Sequence, residues 1–154
     1  MATTKVIGLD KLRRKMIALP KAIEAEIRKA METGAEEMVA MARRLAPVDD
    51  GDLRESIGWT WGEAPKGSMV IAKGGSTGMT ITVYAGNSEA FYARWVEFGT
   101  VTHPQGGKFG GTRHPGTTAQ PFFFPAWRAT RKRVKSRTSR AVSKAAKRIA
   151  AGGN

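Results

Sequence analysis

At 154 residues the chain has room for one domain, or one domain with a tail. With 41% hydrophobic residues it can bury a core, and without cysteine it can build neither a disulfide framework nor a thiolate metal site. The net charge of +13 is unevenly placed: 12 Lys and Arg and no Asp or Glu follow Glu97, which leaves residues 1–97 at only +1. Such asymmetry suits an acidic partner, either nucleic acid or an acidic protein surface; the plainer reading is a solvated basic helix face. Met1–Val6 lacks the apolar run of a signal peptide, and no stretch approaches the ~20 apolar residues of a membrane span. A soluble chain made in a cytoplasm, with no membrane partner, is the expectation.

The first third has helical periodicity. Leu12, Met16, Leu19, Ile23, Ile27, Ala30, Gly34, Met38, Met41 and Leu45 recur every three or four residues. Pro20 interrupts the stripe, which predicts a short helix to Leu19 and a longer one from Pro20 to Leu45, or one kinked helix. Gly34 weakens the middle or marks a close approach by another backbone. After Ala46-Pro47, a short helix is expected in 48–57, capped by Asp49 or Asp50. A calcium loop does not fit, because the EF-hand spacing and its bidentate Glu are missing.

Residues 58–87 have strand character. Trp59-Thr60-Trp61, Ser68–Lys73 and Met79–Ala85 are the expected strands, with a turn at Gly74–Gly78 joining the last two as a hairpin. Met79, Ile81, Val83 and Ala85 alternate with Thr80, Thr82 and Tyr84, so one face is buried. The expected fold is α+β: a long N-terminal helix on a three- to four-stranded antiparallel sheet. A short aromatic helix follows around Tyr92–Phe98, stopped by Gly99. A long Gly-rich loop runs over 101–120 and contains the near-repeat Thr102-His103-Pro104 and Arg113-His114-Pro115. The body is expected to span 1–127. A basic C-terminal helix fills 128–154, with Trp127, Thr130, Val134, Thr138, Ala141, Ala145 and Ile149 as a narrow apolar stripe, and Gly152–Asn154 is expected to fray.

No constellation for chemistry emerges. His103 and His114 have no carboxylates nearby to complete a metal site. The loop glycines match no phosphate-binding pattern. Asp49, Asp50, Asp52, Glu55 and Glu97 have no partner histidine for acid–base work, and no serine lies in a nucleophile elbow. Neither an enzyme nor a cofactor is expected. Phe122-Phe123-Phe124 lies between two prolines. One reading is a core plug, an extended segment that tucks its rings between sheet and helix; three successive rings cannot all face one core, so one or two are expected inside and one at a subunit contact.

Three segments, in order, resemble one family. Ala46-Pro47, Gly51, Leu53-Arg54 and Ser56-Ile57 look like an A-P-x-x-x-G-x-L-R-x-S-I signature. Tyr92-Ala93 with Glu97–Thr100 looks like Y-A-x-x-x-E-F-G-T, and Ala119–Ala126 looks like A-x-P-F-x-x-P-A. Together they resemble the tail-component, neck and tail-completion proteins of long-tailed bacteriophages, prophages and gene transfer agents, over roughly residues 9–150. The resemblance departs at Asp50, where the family often has Thr. It implies a structural virion protein made in the host cytoplasm: a homo-oligomeric ring, sixfold, at the head–tail junction. The implied partners are copies of itself, a tail terminator or tail tube protein, and a head connector or stopper. Tyr92, Trp95, Glu97, Phe98, Phe122, Phe123 and Phe124 are then the expected subunit or partner contacts. Lys108, Arg113, Arg128, Arg131, Lys132, Arg133, Lys135, Arg137 and Arg140 would meet DNA in the lumen or an acidic neighbour. The rival reading is a basic protein that binds nucleic acid without sequence preference.

Overall fold

In a computed structural model of the chain, residues 9–76, 79–88 and 90–151 are described. Helix α1 spans Leu9–Leu45, about 55 Å at the usual helical rise. It is one helix through Pro20, so the single-helix alternative holds. The side chains of Leu12, Met16 and Leu19 lie outside the described residues. After Ala46 the chain forms the single-turn α2, Asp52–Glu55. Strands β1 (Gly58–Trp61), β2 (Met69–Ser76) and β3 (Met79–Ala85) build an antiparallel sheet in the order β1-β3-β2. The sheet has three strands. The expected turn at 74–78 is shorter than its glycines suggested: Gly74, Gly75 and Ser76 pair with Ile81, Thr80 and Met79, while Thr77 and Gly78 lie outside the described residues. Helix α3, Ala93–Phe98, is followed by a thin β-ribbon and then by α4, Phe123–Ala150.

The core lies between the sheet and α1. Ile81, Val83 and Ala85 point into it from the central strand, as their alternation predicted, and Met31, Ala35, Met38, Val39 and Ala42 meet them from α1. The other face of β3 is not bare: Thr82 is fully buried, and its hydroxyl donates to the Gly62 carbonyl at 2.5 Å.

The basic helix is part of this core rather than a tail. α4 runs antiparallel to α1, and its stripe behaves as its spacing predicted, with Thr130 and Ala145 fully buried and Val134 half-buried. The side chain of Ile149 and residues 152–154 lie outside the described residues. At Gly34 α4 packs tightly on α1. A Cβ built there would lie 2.6 Å from Val134 Cγ1, so the close approach is by a side chain and not by backbone. Charges fasten the same seam. Arg133 and Arg137 both pair with Glu37, the latter at 2.6 Å, and Arg148 pairs with Glu26 at 2.8 Å. Burial pushes the Glu37 carboxyl up, but the hydrogen bonds and charges of Arg137 and Arg133 outweigh it and hold the group below its usual 4.5.

Two predictions follow from the seam. Gly34→Leu forces a side chain into Val134 and is expected to cost about 1–3 kcal/mol despite better helix propensity, with Val134→Ala restoring part of the loss in thermal melts. Glu37→Gln is expected to cost about 1 kcal/mol at pH 7, a modest figure because the pair is partly solvated. Because the folded value of Glu37 is depressed, its contribution is full above the ordinary glutamate range and is lost as pH falls through the depressed value, below 4.5. Melting curves of wild type and variant should therefore converge in acid.

Candidate functional site: an aromatic face and a basic face

The segment after α1 is shaped by Gly51, which occupies the N-cap of α2 with φ 98° and no side-chain cap. This corrects the expectation that Asp49 or Asp50 caps the turn. The helix begins one residue later, so the cap falls on a residue with no side chain, in a left-handed conformation that favours glycine. Asp49 and Asp50 are left exposed. Leu53 and Ile57 enter the core at 4% and 0% exposure. Ser56 donates to the Leu53 carbonyl at 2.7 Å and accepts the Gly86 N–H at 3.1 Å, which ties the turn to the exit of β3. Burial raises the pKa of Tyr92, and the nearby carboxylates of Asp52, Asp50 and Asp49 push it the same way.

Glu97 joins α3 to α4. Its side chain is buried, and its carboxylate accepts the backbone N–H groups of Phe122 and Phe123 at 2.8 Å each and of Phe124 at 3.0 Å. These are orphan donors at the start of α4. The next position, Pro125, has no N–H to satisfy, and Ala126 already bonds to the Phe122 carbonyl at 3.3 Å. The triple-Phe segment is thus the first turn of a helix, not an extended plug. Phe122 and Phe123 are fully buried, with stacked rings 5.9 Å apart. Two of the three rings lie inside, as expected, while Glu97, Phe122 and Phe123 are corrected as contact residues: they belong to the interior of the fold.

The remaining aromatics face outward. Phe91 is 55% exposed, Trp95 51% and Phe98 57%. Phe91 meets Trp95 edge-on at 5.4 Å, and Phe98 lies 5.6 Å from half-buried Phe124. Exposed Val70, on edge strand β2, shares a shallow groove with Phe91, Phe98 and Phe124. Of the contacts expected here, the fold brings Trp95, Phe98 and Phe124 to one surface, with Tyr92 half-buried behind them. Phe91 and Val70 join them unforeseen; Phe91 could have been suspected from its place beside Tyr92, but Val70 reads as an ordinary strand residue.

The 101–120 loop has structure of its own. Thr100 and Thr117 exchange backbone hydrogen bonds, and β4 (His103–Pro104) pairs with β5 (Arg113–His114). The near-repeat is thus two facing strands: His103 lies opposite His114 and their rings stack 5.0 Å apart. At the root, Gly99 has φ 68°, and a Cβ there would lie 2.6 Å from the Thr117 carbonyl oxygen. Lys108 lies in the tip turn, Gly107–Phe109, and Arg113 in β5, both exposed. Among the described residues no cluster of three His, Asp or Glu could hold a metal. None of the described helices is long and apolar enough to cross a membrane.

The α4 cations expected to meet a partner divide into two sets. Arg133 and Arg137 are engaged with Glu37, and Arg131 stacks over Trp127 at 4.7 Å. Arg128, Lys132, Lys135 and Arg140 are exposed and pair with no carboxylate among the described residues.

What defines this molecule is a small α+β body whose distinctive chemistry lies on its surfaces. A family model described as "Bacteriophage HK97-gp10, putative tail-component" matches residues 10–99, and the chain belongs to that family of phage tail components. As such it is a structural protein of the virion. No curated protein and no solved structure matches it. The matched span contains the first signature and the second up to Gly99, so the carboxylate that starts α4 lies inside it while α4 lies outside.

Glu97→Ala leaves three N–H groups unsatisfied and is expected to cost about 3 kcal/mol or more, which lowers Tm by roughly 6–12 °C. Glu97→Gln, which keeps one acceptor oxygen, should fall between; thermal melts followed by circular dichroism decide.

Proposed function

We propose that the chain closes into a ring, sixfold as the resemblance implies, at the head-proximal end of the tail, and there joins tail to head. Its neighbours are a tail terminator or tail tube protein on one side and a head connector or stopper on the other. The aromatic face built from Phe91, Trp95, Phe98, Phe124 and Val70 is the observation that carries this reading. Contiguous exposed rings on so small a protein mark a surface meant to be covered. Val70, Phe91, Trp95 and Phe98 lie inside the family-matched segment, which supports an assembly role. Trp95→Asp with Phe98→Asp changes exposed side chains only, so the chain should remain folded while joined particles fall at least tenfold in electron micrographs. Normal joining, or a chain absent from particles, overturns the reading.

The exposed cations of α4 favour a second role within it: contact with phosphates of passing DNA, without base readout. Removing α4 would strip the core, so the test is charge reversal. Arg128→Glu, Lys132→Glu and Arg140→Glu together should flatten the salt dependence of DNA binding by about 0.9 log unit per lost phosphate contact. An unchanged slope assigns the basic face to protein.

A further inference from the structure

α4 packs closely on α1 but opens away from edge strand β2, which leaves a cleft of about 530 Å³. Its floor and walls are apolar, with Met31, Ile81 and Val134 among them, and Lys73, Arg131 and Lys135 stand on its rim. None of the three pairs with a carboxylate among the described residues. The cleft therefore suits an apolar side chain flanked by carboxylates. The same chain displays such a segment. Val48, in the turn after α1, is 64% exposed and Leu45, at the end of α1, 45% exposed, and Asp49, Asp50 and Asp52 make no ion pair among the described residues. Elsewhere most described acids are committed: Glu24 to Arg28, Glu26 to Arg148, Glu37 to two arginines, Glu32 to Trp61 and Glu97 to α4. No residue of the turn lines the cleft, so the two surfaces lie apart on one molecule.

We propose that the turn 45–52 of one copy docks in the α4–β2 cleft of a second copy, with Val48 in the apolar floor and Asp49 and Asp50 against Lys73, Arg131 and Lys135. Two different surfaces of one chain make a head-to-tail contact, the kind that closes into rings. The inference rests on the ring reading above and supplies its lateral contact, leaving the aromatic face for the neighbours above and below.

Charge reversal by mixing tests it. Asp49→Lys with Asp50→Lys disables the turn, and Arg131→Glu with Lys135→Glu disables the cleft. Each variant alone should lose self-association at least tenfold by sedimentation and native mass, and lose joined particles in lysates. Mixed or co-expressed, they should recover, because each reversed surface now meets its complement. Failure of the mixture to recover, or wild-type assembly by either variant alone, overturns the proposal. A second variant guards against misfolding. The chain has no cysteine, and a Cβ at Gly74 on the cleft wall meets nothing within 4 Å. Val48→Cys with Gly74→Cys should therefore give a disulfide-linked ladder beyond the dimer, in concentrated protein and in particles, while Val48→Cys alone should not. Rings in particles without a ladder overturn the docking and spare the ring. A chain missing from particles overturns the ring, while mixing in solution still decides the docking; there, an acidic peptide from another tail protein as the better occupant would appear as binding without self-association, which also overturns it.

Discussion

The start of α4 presents three N–H groups with no helical partner in a place closed to water. Left unmet, each would cost on the order of 1–3 kcal/mol. Glu97 meets all three with one carboxylate, and Pro125 removes the next donor altogether. A negative group at this position also suits the positive end of the helix dipole. Much else follows from that contact. It holds the start of α4 against α3 after the ribbon, and from there α4 runs antiparallel along α1. Phe122 and Phe123 are drawn into the core by the same turn, while Phe124 is left at the edge beside Phe98.

The contact also explains how the surfaces are sorted. Once Glu97 faces inward, α3 turns its other side out with Trp95 and Phe98 on it, and Phe91, just before the helix, packs edge-on against Trp95. Once α4 lies on α1, one strip of its cations reaches Glu37 and Glu26, and the remainder faces away. The basic character of the C-terminal third therefore serves two ends. Part of it holds helices together, and part stays exposed with no carboxylate partner among the described residues. A chain with net +1 over residues 1–97 and twelve later cations folds so that α1 acids neutralise some of them and leave the others exposed.

The ribbon at 100–117 shows how a near-repeat can conceal pairing. Its glycines look like a structureless loop, yet Thr100 and Thr117 bridge, and the two His-Pro segments come face to face. Strands of two residues carry no readable periodicity, so nothing local could reveal them.

By itself the sequence determined what depends on periodicity and composition. The α4 stripe, the described part of the α1 stripe, the inward alternation of Ile81, Val83 and Ala85 and the stop at Gly99 are each properties of neighbouring residues, and each has its expected structural consequence. Only the tertiary structure decided which groups meet across long separations. Glu97 with Phe122–Phe124, Glu37 with Arg133 and Arg137, and Gly34 beneath Val134 are pairings 25 to 100 residues apart. Their side-chain types are compatible with many partners, and burial and packing select one. For the same reason Glu97, Phe122 and Phe123 read as interface residues from their chemistry and proved interior. Exposure is a property of the folded surface, and no spacing rule encodes it.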